Sequence, residues 1–280
     1  MFVDAHQHFW KWSKGWFSRP EQVLSRDYMP KDFEEILQKY GVDNTIVVQT
    51  TPIVAETDFL LELAEKVSFI GGVVGWLDLE STDFQYELER YSRNAHFVGI
   101  RPMLESLPED DWILRPRVVE SLSLIAQTGL AFEFLTFTRQ LPHVLNILDR
   151  IPRLRAAIDH LSKPEIRTGK MQPWQDLMRE VALRPNVCCK LSGMVTEAGY
   201  GHWTREQLRP YADHVLEYFG ADRVMFGSDW PVCLLAASYE EVVAAAQDFV
   251  TSKLGTAAVA PVFGDNAARF YRLESVRASV

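Results

Sequence analysis

The sequence predicts an α/β protein in which eight parallel strands and their following helices close into one (β/α)8 TIM barrel spanning residues 1–280. Three observations carry that reading. Short apolar or β-branched runs alternate with amphipathic segments along the whole chain, the pattern of successive βαβ units. Eight such runs can be counted, and 280 residues is close to the ~250 that a barrel of this kind occupies. No glycine-rich phosphate fingerprint follows the first run, so an open dinucleotide-binding sheet lacks its main support.

The runs cover residues 2–6, 45–49, 70–76, 97–103, 131–135, 155–160, 187–191 and 223–226. Between them, segments such as 32–41, 56–67, 116–129 and 240–250 repeat apolar residues at three/four spacing, which predicts helices with one buried face. Gly41, Gly129 and Gly220 stand where three of these helices should end, since glycine adopts the left-handed conformation of a helix C-terminus without strain. No linker, low-complexity tract or fixed-period repeat divides the chain.

Composition narrows the function. The formal charge is −9 with no long basic run, which argues against nucleic acid and anionic membranes as partners. No stretch approaches the ~20 apolar residues of a membrane span. Cys188, Cys189 and Cys233 are odd in number and lie in apolar surroundings, which reads as buried thiols and not a disulfide framework. With an amino terminus that reads directly as a strand, the expected location is the reducing cytoplasm.

Chemistry-bearing residues fall at strand ends. His6 and His8 are two apart on the first strand and should share a face directed into the barrel mouth, able to grip a metal or donate to an oxyanion. A His-x-His pair also arises by coincidence, so its place on the first strand matters. His160 ends the sixth run, and Asp229 follows the eighth, where a carboxylate could be a general base, a metal ligand or only a turn cap. Arg101 and Lys190 interrupt apolar strands. Each predicts either a substrate contact, Lys190 together with Ser192 on one face, or a structural ion pair involving Glu133. Trp76, Trp230 and Trp10 could wall a pocket or lie in the core. Residues 11–29, the loop from Lys11 to Met29, follow the first strand and predict a lid.

The stretches DAHQHFW, VVQTTPIVAET, VGIRPML, IDHLSKP, VCCKLSGMVTEA, FGADRVMFGSDWPV and FGDNAARFYRL run through the chain in an order that resembles the amidohydrolase-related lactonases, the group containing L-fuconolactonase and L-rhamnono-lactonase. The resemblance implies an amidohydrolase-type barrel that hydrolyses a small-molecule sugar lactone. It implies a site of His6, His8, His160 and Asp229, with Arg101, Lys190 and Trp230 as substrate contacts. Binuclear relatives carry a bridging lysine or carboxylate and a further histidine on the middle strands. Here the fifth strand offers Glu133 and the only nearby histidine, His96, precedes the fourth, so the expectation is one divalent, zinc-like ion held by His6, His8, His160 and Asp229, or none. The expected mechanism has Asp229 accepting a proton from water while the histidines polarise the carbonyl, directly or through that ion. Two other readings stay open: metal-dependent decarboxylation of an unsaturated or aromatic acid, and a non-catalytic carbohydrate-binding barrel.

Overall fold

The computed structural model describes residues 1–16 and 21–273. Strands β1 (Val3–Gln7), β2 (Asn44–Val48), β3 (Ile70–Gly75), β4 (Phe97–Ile100), β5 (Ala131–Phe134), β6 (Ala156–Ile158), β7 (Val187–Leu191) and β8 (Val224–Phe226) form one sheet in sequence order, every pairing parallel. All eight predicted runs are strands. The last seam is made just beyond β8: the Asp229 amide donates to the His6 carbonyl at 2.8 Å, and the His8 amide donates to the Trp230 carbonyl at 2.8 Å. The backbone that closes the barrel therefore also carries four of the predicted site residues, His6, His8, Asp229 and Trp230.

Helices α1 (Pro30–Tyr40), α2 (Val54–Ala64), α3 (Phe84–Tyr91), α4 (Pro116–Thr128), α5 (Leu141–Arg150), α6 (Trp174–Ala182), α7 (Met194–Ala198), α8 (Arg205–Phe219), α9 (Tyr239–Leu254) and α10 (Asn266–Tyr271) follow the strands. Their ends obey the sequence cues. Gly41 and Gly129 adopt left-handed conformations after α1 and α4, and Gly220, at φ +70°, follows α8. The Ser238 hydroxyl accepts from the Glu241 amide while the Glu241 carboxylate accepts from the Ser238 amide, a reciprocal cap on α9. In α4, Val118, Leu122 and Ile125 share one face and are fully buried, as the three/four spacing requires.

The core has two parts. The larger fills the space between sheet and helices. The smaller lies inside the barrel, where Val3, Ala5, Ile46, Val98 and Met225 pack with Ala267, Phe270, Tyr271 and Leu273. α10 thus plugs the end of the barrel at which the strands begin, leaving the other end for chemistry. The three cysteines are free thiols, and no helix among the described residues is long and apolar enough to cross a membrane.

Candidate active site

His6 and His8 converge, but not by simple alternation. β1 advances from Asp4 to Gln7 while β2 advances only from Thr45 to Val47, a bulge of one extra residue. Asp4 faces outward, accepting from the Ser228 amide and the Tyr239 hydroxyl, and Ala5 packs inside the barrel. The bulge turns the next side chain, His6, inward as well, where its Nδ1 lies 3.0 Å from Lys190 Nζ. The two imidazoles end 5.0 Å apart, centre to centre. Gly227 makes room, since a Cβ there would lie 2.6 Å from His6 Cβ.

The turns after β6 and β8 are strained. His160, Leu161, Ser162 and Lys163 are four consecutive non-glycine residues in left-handed conformation, and Asp229 is a fifth. Each such residue costs about 1 kcal/mol or more, so neighbours must over-determine the turn. They do. Trp174 Nε1 donates to the Leu161 carbonyl at 2.6 Å, the Ser162 and Thr136 hydroxyls meet at 2.8 Å, and His160 Nδ1 meets the Ser192 hydroxyl at 2.8 Å. Gly193 lies against the His160 ring at φ +66°, and a Cβ there would fall 2.6 Å from its Cγ. Strain held at these two turns is the cost of aiming His160 and Asp229 at the same point.

That point is Asp229 Oδ1. His8 Nε2 lies 3.1 Å from it, His6 Nε2 3.8 Å and His160 Nε2 3.9 Å. A tetrahedral ion with bonds of about 2.0–2.1 Å separates its ligands by roughly 3.3–3.4 Å, so this spacing fits a zinc-like ion held by His6, His8 and Asp229 with one position open. The His8 tautomer fits too. Its Nδ1 must donate to the Val48 carbonyl, 2.7 Å away, which leaves Nε2 facing the carboxylate and needing either a second proton or a cation between them. His6 can alternatively group with Asp159 and His160.

Beneath the site runs a buried column of charge. Tyr271, from the α10 plug, donates a short hydrogen bond to Glu133. Glu133 pairs with Lys190 at 2.6 Å, Lys190 with Asp159 at 3.2 Å, and Asp159 with Arg101 at 3.1 Å. Arg101 also donates a short hydrogen bond to the Gln49 carbonyl. With Asp229, three carboxylates face two cations, leaving one net negative charge. Burial, reinforced by Asp159, pushes the Glu133 carboxyl up to about 7. Burial would also raise Asp159, yet Lys190 and Arg101 outweigh it and hold that carboxyl well below the usual range. Burial opposes ionisation of Asp229 as well, but the imidazoles around it, with His8 hydrogen-bonded at 3.1 Å, hold its carboxyl below the usual range. Burial brings His160 down to about 4 and holds His6 well below its ordinary value, so both rings are neutral near pH 7.

Above lies a cavity of about 650 Å³. Its floor presents His8, His160, Asp229 and Arg101, whose Nε has no protein partner. One wall carries Glu105, Lys163 and Glu197, and another Trp16, Thr50 and Thr51. Of the remaining sequence candidates, Lys190 and Glu133 lie below the floor as the buried ion pair, and Ser192 braces His160 from behind. Trp230 packs into Tyr28 and Phe33, Trp10 is buried with its indole donating to the Arg26 carbonyl, and Trp76 is half-buried away from the cavity lining. Part of the loop expected as a lid, residues 17–20, lies outside the described residues; Trp16, just before them, borders the mouth and accepts from the Thr51 hydroxyl at 2.6 Å. Sequence reasoning passed over Asp159, although a carboxylate beside His160 was the obvious counter-charge for two strand cations. It also passed over the Glu105–Lys163–Glu197 wall, whose members follow three different strands, β4, β6 and β7.

Comparison with known proteins follows the same lines. Residues 3–273 match the amidohydrolase family. An L-fucono-1,5-lactonase from Burkholderia ambifaria is 42% identical over 278 residues, covering 97% of this chain and 96% of that protein. An L-fucono-1,5-lactonase from Burkholderia multivorans is 34% identical over 288 residues, with the same coverage. A crystal structure of an amidohydrolase from Burkholderia multivorans with bound zinc superposes with a TM-score of 0.91 at 33% identity, covering 97% of this chain and 99% of that one.

Proposed function

The chain belongs to the amidohydrolase family, and we propose that it opens a sugar-acid lactone of the L-fucono or L-rhamnono kind to the aldonic acid. The observation that carries this reading is the convergence of three imidazoles on one buried carboxylate at the floor of a cavity with room for a small ring. The two lactonase relatives support the ester as the bond attacked.

Hydrolysis requires water to attack the carbonyl carbon, the ring C–O bond to break, and the water's proton to reach the departing oxygen. Asp229 takes that first proton. A carboxylate held so low is a weak base, matched only to a water already made acidic. His6, His8 and Asp229 would hold a divalent ion, which would supply that acidity and polarise the carbonyl. The zinc of the Burkholderia multivorans relative supports this assignment. His160, neutral and 3.9 Å from Asp229, is placed to relay the proton to the ring oxygen, with Ser192 fixing its orientation. Arg101 Nε offers a donor to a substrate oxygen, while Lys190 and Glu133 act from below by holding His6 and Asp159. Trp230 packs on Tyr28 and Phe33 outside the cavity lining, and Trp76 likewise stands off it.

The test is Asp229→Asn with an aldonolactone as substrate. Losing one preorganised group of this kind removes about 3–4 kcal/mol of transition-state stabilisation, so turnover should fall at least ~100-fold with the fold intact. Retention of more than about a tenth of the wild-type rate would withdraw Asp229 from the chemistry.

A further inference from the structure

The wall formed by Glu105, Lys163 and Glu197 is built at considerable expense. Glu105 follows β4, Lys163 closes the left-handed turn after His160, and Glu197 lies in α7. Lys163 Nζ is 2.7 Å from Glu105 Oε2 and 3.5 Å from Glu197 Oε1, with the three side chains only 17%, 10% and 23% exposed. Burying two carboxylates against one ammonium leaves a net negative charge in a desolvated wall, a poor arrangement if its only purpose were stability. Nor are the contacts saturated. Glu105 Oε2 is buried against the ammonium, but the ammonium carries three protons and each carboxylate has a second oxygen.

The ionisable residues lining the cavity also limit the ligand's charge. Asp229, Glu105 and Glu197 face Arg101 and Lys163, and Arg101 is already committed to Asp159 and the Gln49 carbonyl. Among the described lining residues, Arg101 and Lys163 are already paired with carboxylates, so the walls themselves favour an uncharged ligand. Hydroxyl groups both donate and accept, and adjacent hydroxyls match an ammonium flanked by carboxylates.

We propose that Glu105, Lys163 and Glu197 are specificity-determining residues that read adjacent hydroxyls of a neutral polyhydroxylated ring. This deepens the lactonase reading and rests on it for the identity of the reaction. Because Lys163 ends the same strained turn that presents His160, hydroxyl recognition is built into the segment that aims a floor histidine.

The experiment compares L-fucono-1,5-lactone with unsubstituted δ-valerolactone in the wild type and in Lys163→Met. Loss of hydrogen bonds to a charged group should lower the ratio of kcat/KM for the hydroxylated over the bare lactone at least ~30-fold. An unchanged ratio, both substrates falling by one factor, overturns the proposal and leaves the lactonase reading standing. Glu105→Gln and Glu197→Gln, which keep side-chain shape, give the same comparison if Lys163→Met does not fold, with an expected fall of about tenfold. A second readout is calorimetric binding of L-fucose, with L-fuconate as the anionic arm. If the wild type hydrolyses neither lactone, the lactonase reading fails. The proposal then stands on saturable L-fucose binding that weakens in the variants and exceeds L-fuconate binding, and falls without it.

Discussion

Replacing Lys190 with methionine tests whether the buried column is a single electrostatic unit. Lys190 is fully buried, 2.6 Å from Glu133, 3.2 Å from Asp159 and 3.0 Å from His6 Nδ1. Methionine fills nearly the same volume, so a packing defect contributes little and the effect is one of charge. Removing one partner of a buried ion pair costs about 3–5 kcal/mol. Glu133, whose carboxyl burial raises to about 7, takes up a proton when the ammonium is removed, and Asp159 keeps Arg101, which puts the expected loss at about 3 kcal/mol. With an unfolding entropy of about 0.6 kcal/mol/K for a chain of 280 residues, that is a fall in Tm of about 5 °C. Thermal unfolding followed by circular dichroism reads it directly, and adding Glu133→Leu should recover part of the loss because it removes the orphaned acid. A fall of less than about 2 °C in Lys190→Met would refute the view that these charges are interdependent.

Three further outcomes are expected. Gly193→Ala forces a left-handed alanine and a Cβ into the His160 ring, so kcat in a lactonase assay should drop at least ~10-fold and Tm by a few degrees; activity within twofold of wild type contradicts the packing argument. Glu133 has its carboxyl raised in the folded state, so its contribution is fully present below pH ~4.5 and is lost as pH climbs through about 7. Glu133→Gln should therefore gain up to about 3 kcal/mol relative to wild type between pH 5 and 8 in urea unfolding, and a constant difference contradicts it. Zinc at about 100 times its Kd should stabilise the metal-stripped protein by about 2.7 kcal/mol, or roughly 4–5 °C, and His8→Ala should abolish most of that rise; an equal rise in the variant places the ion elsewhere.

The barrel was legible because its evidence is local. Each strand is a short apolar run, each helix carries its own spacing, and Gly41, Gly129 and Gly220 marked helix ends that exist. His6, His8, His160 and Asp229 were legible because all follow from one rule, that side chains at the ends of barrel strands face a common mouth. The route to convergence was not legible. A β-bulge at His6 and a left-handed run at His160–Lys163 depend on partners such as Trp174, Thr136 and Ser192 that are remote in sequence. Residue type alone leaves Trp76, Trp230 and Trp10 between pocket and core, whereas Trp230 packs among aromatics and it is Trp16 that reaches the mouth. The Tyr271–Glu133 bond joins a helix near the chain's end to the fifth strand, and nothing local announces it.

The central claim is that this cavity opens a sugar lactone, and proton release tests it most directly. The purified protein would be mixed with a panel of aldonolactones that includes the L-fucono and L-rhamnono forms, with and without a chelator. The account predicts saturable acid production from at least one hydroxylated lactone, falling on chelation and returning with zinc. No acid from any member of the panel, using folded and zinc-supplemented protein, would contradict it.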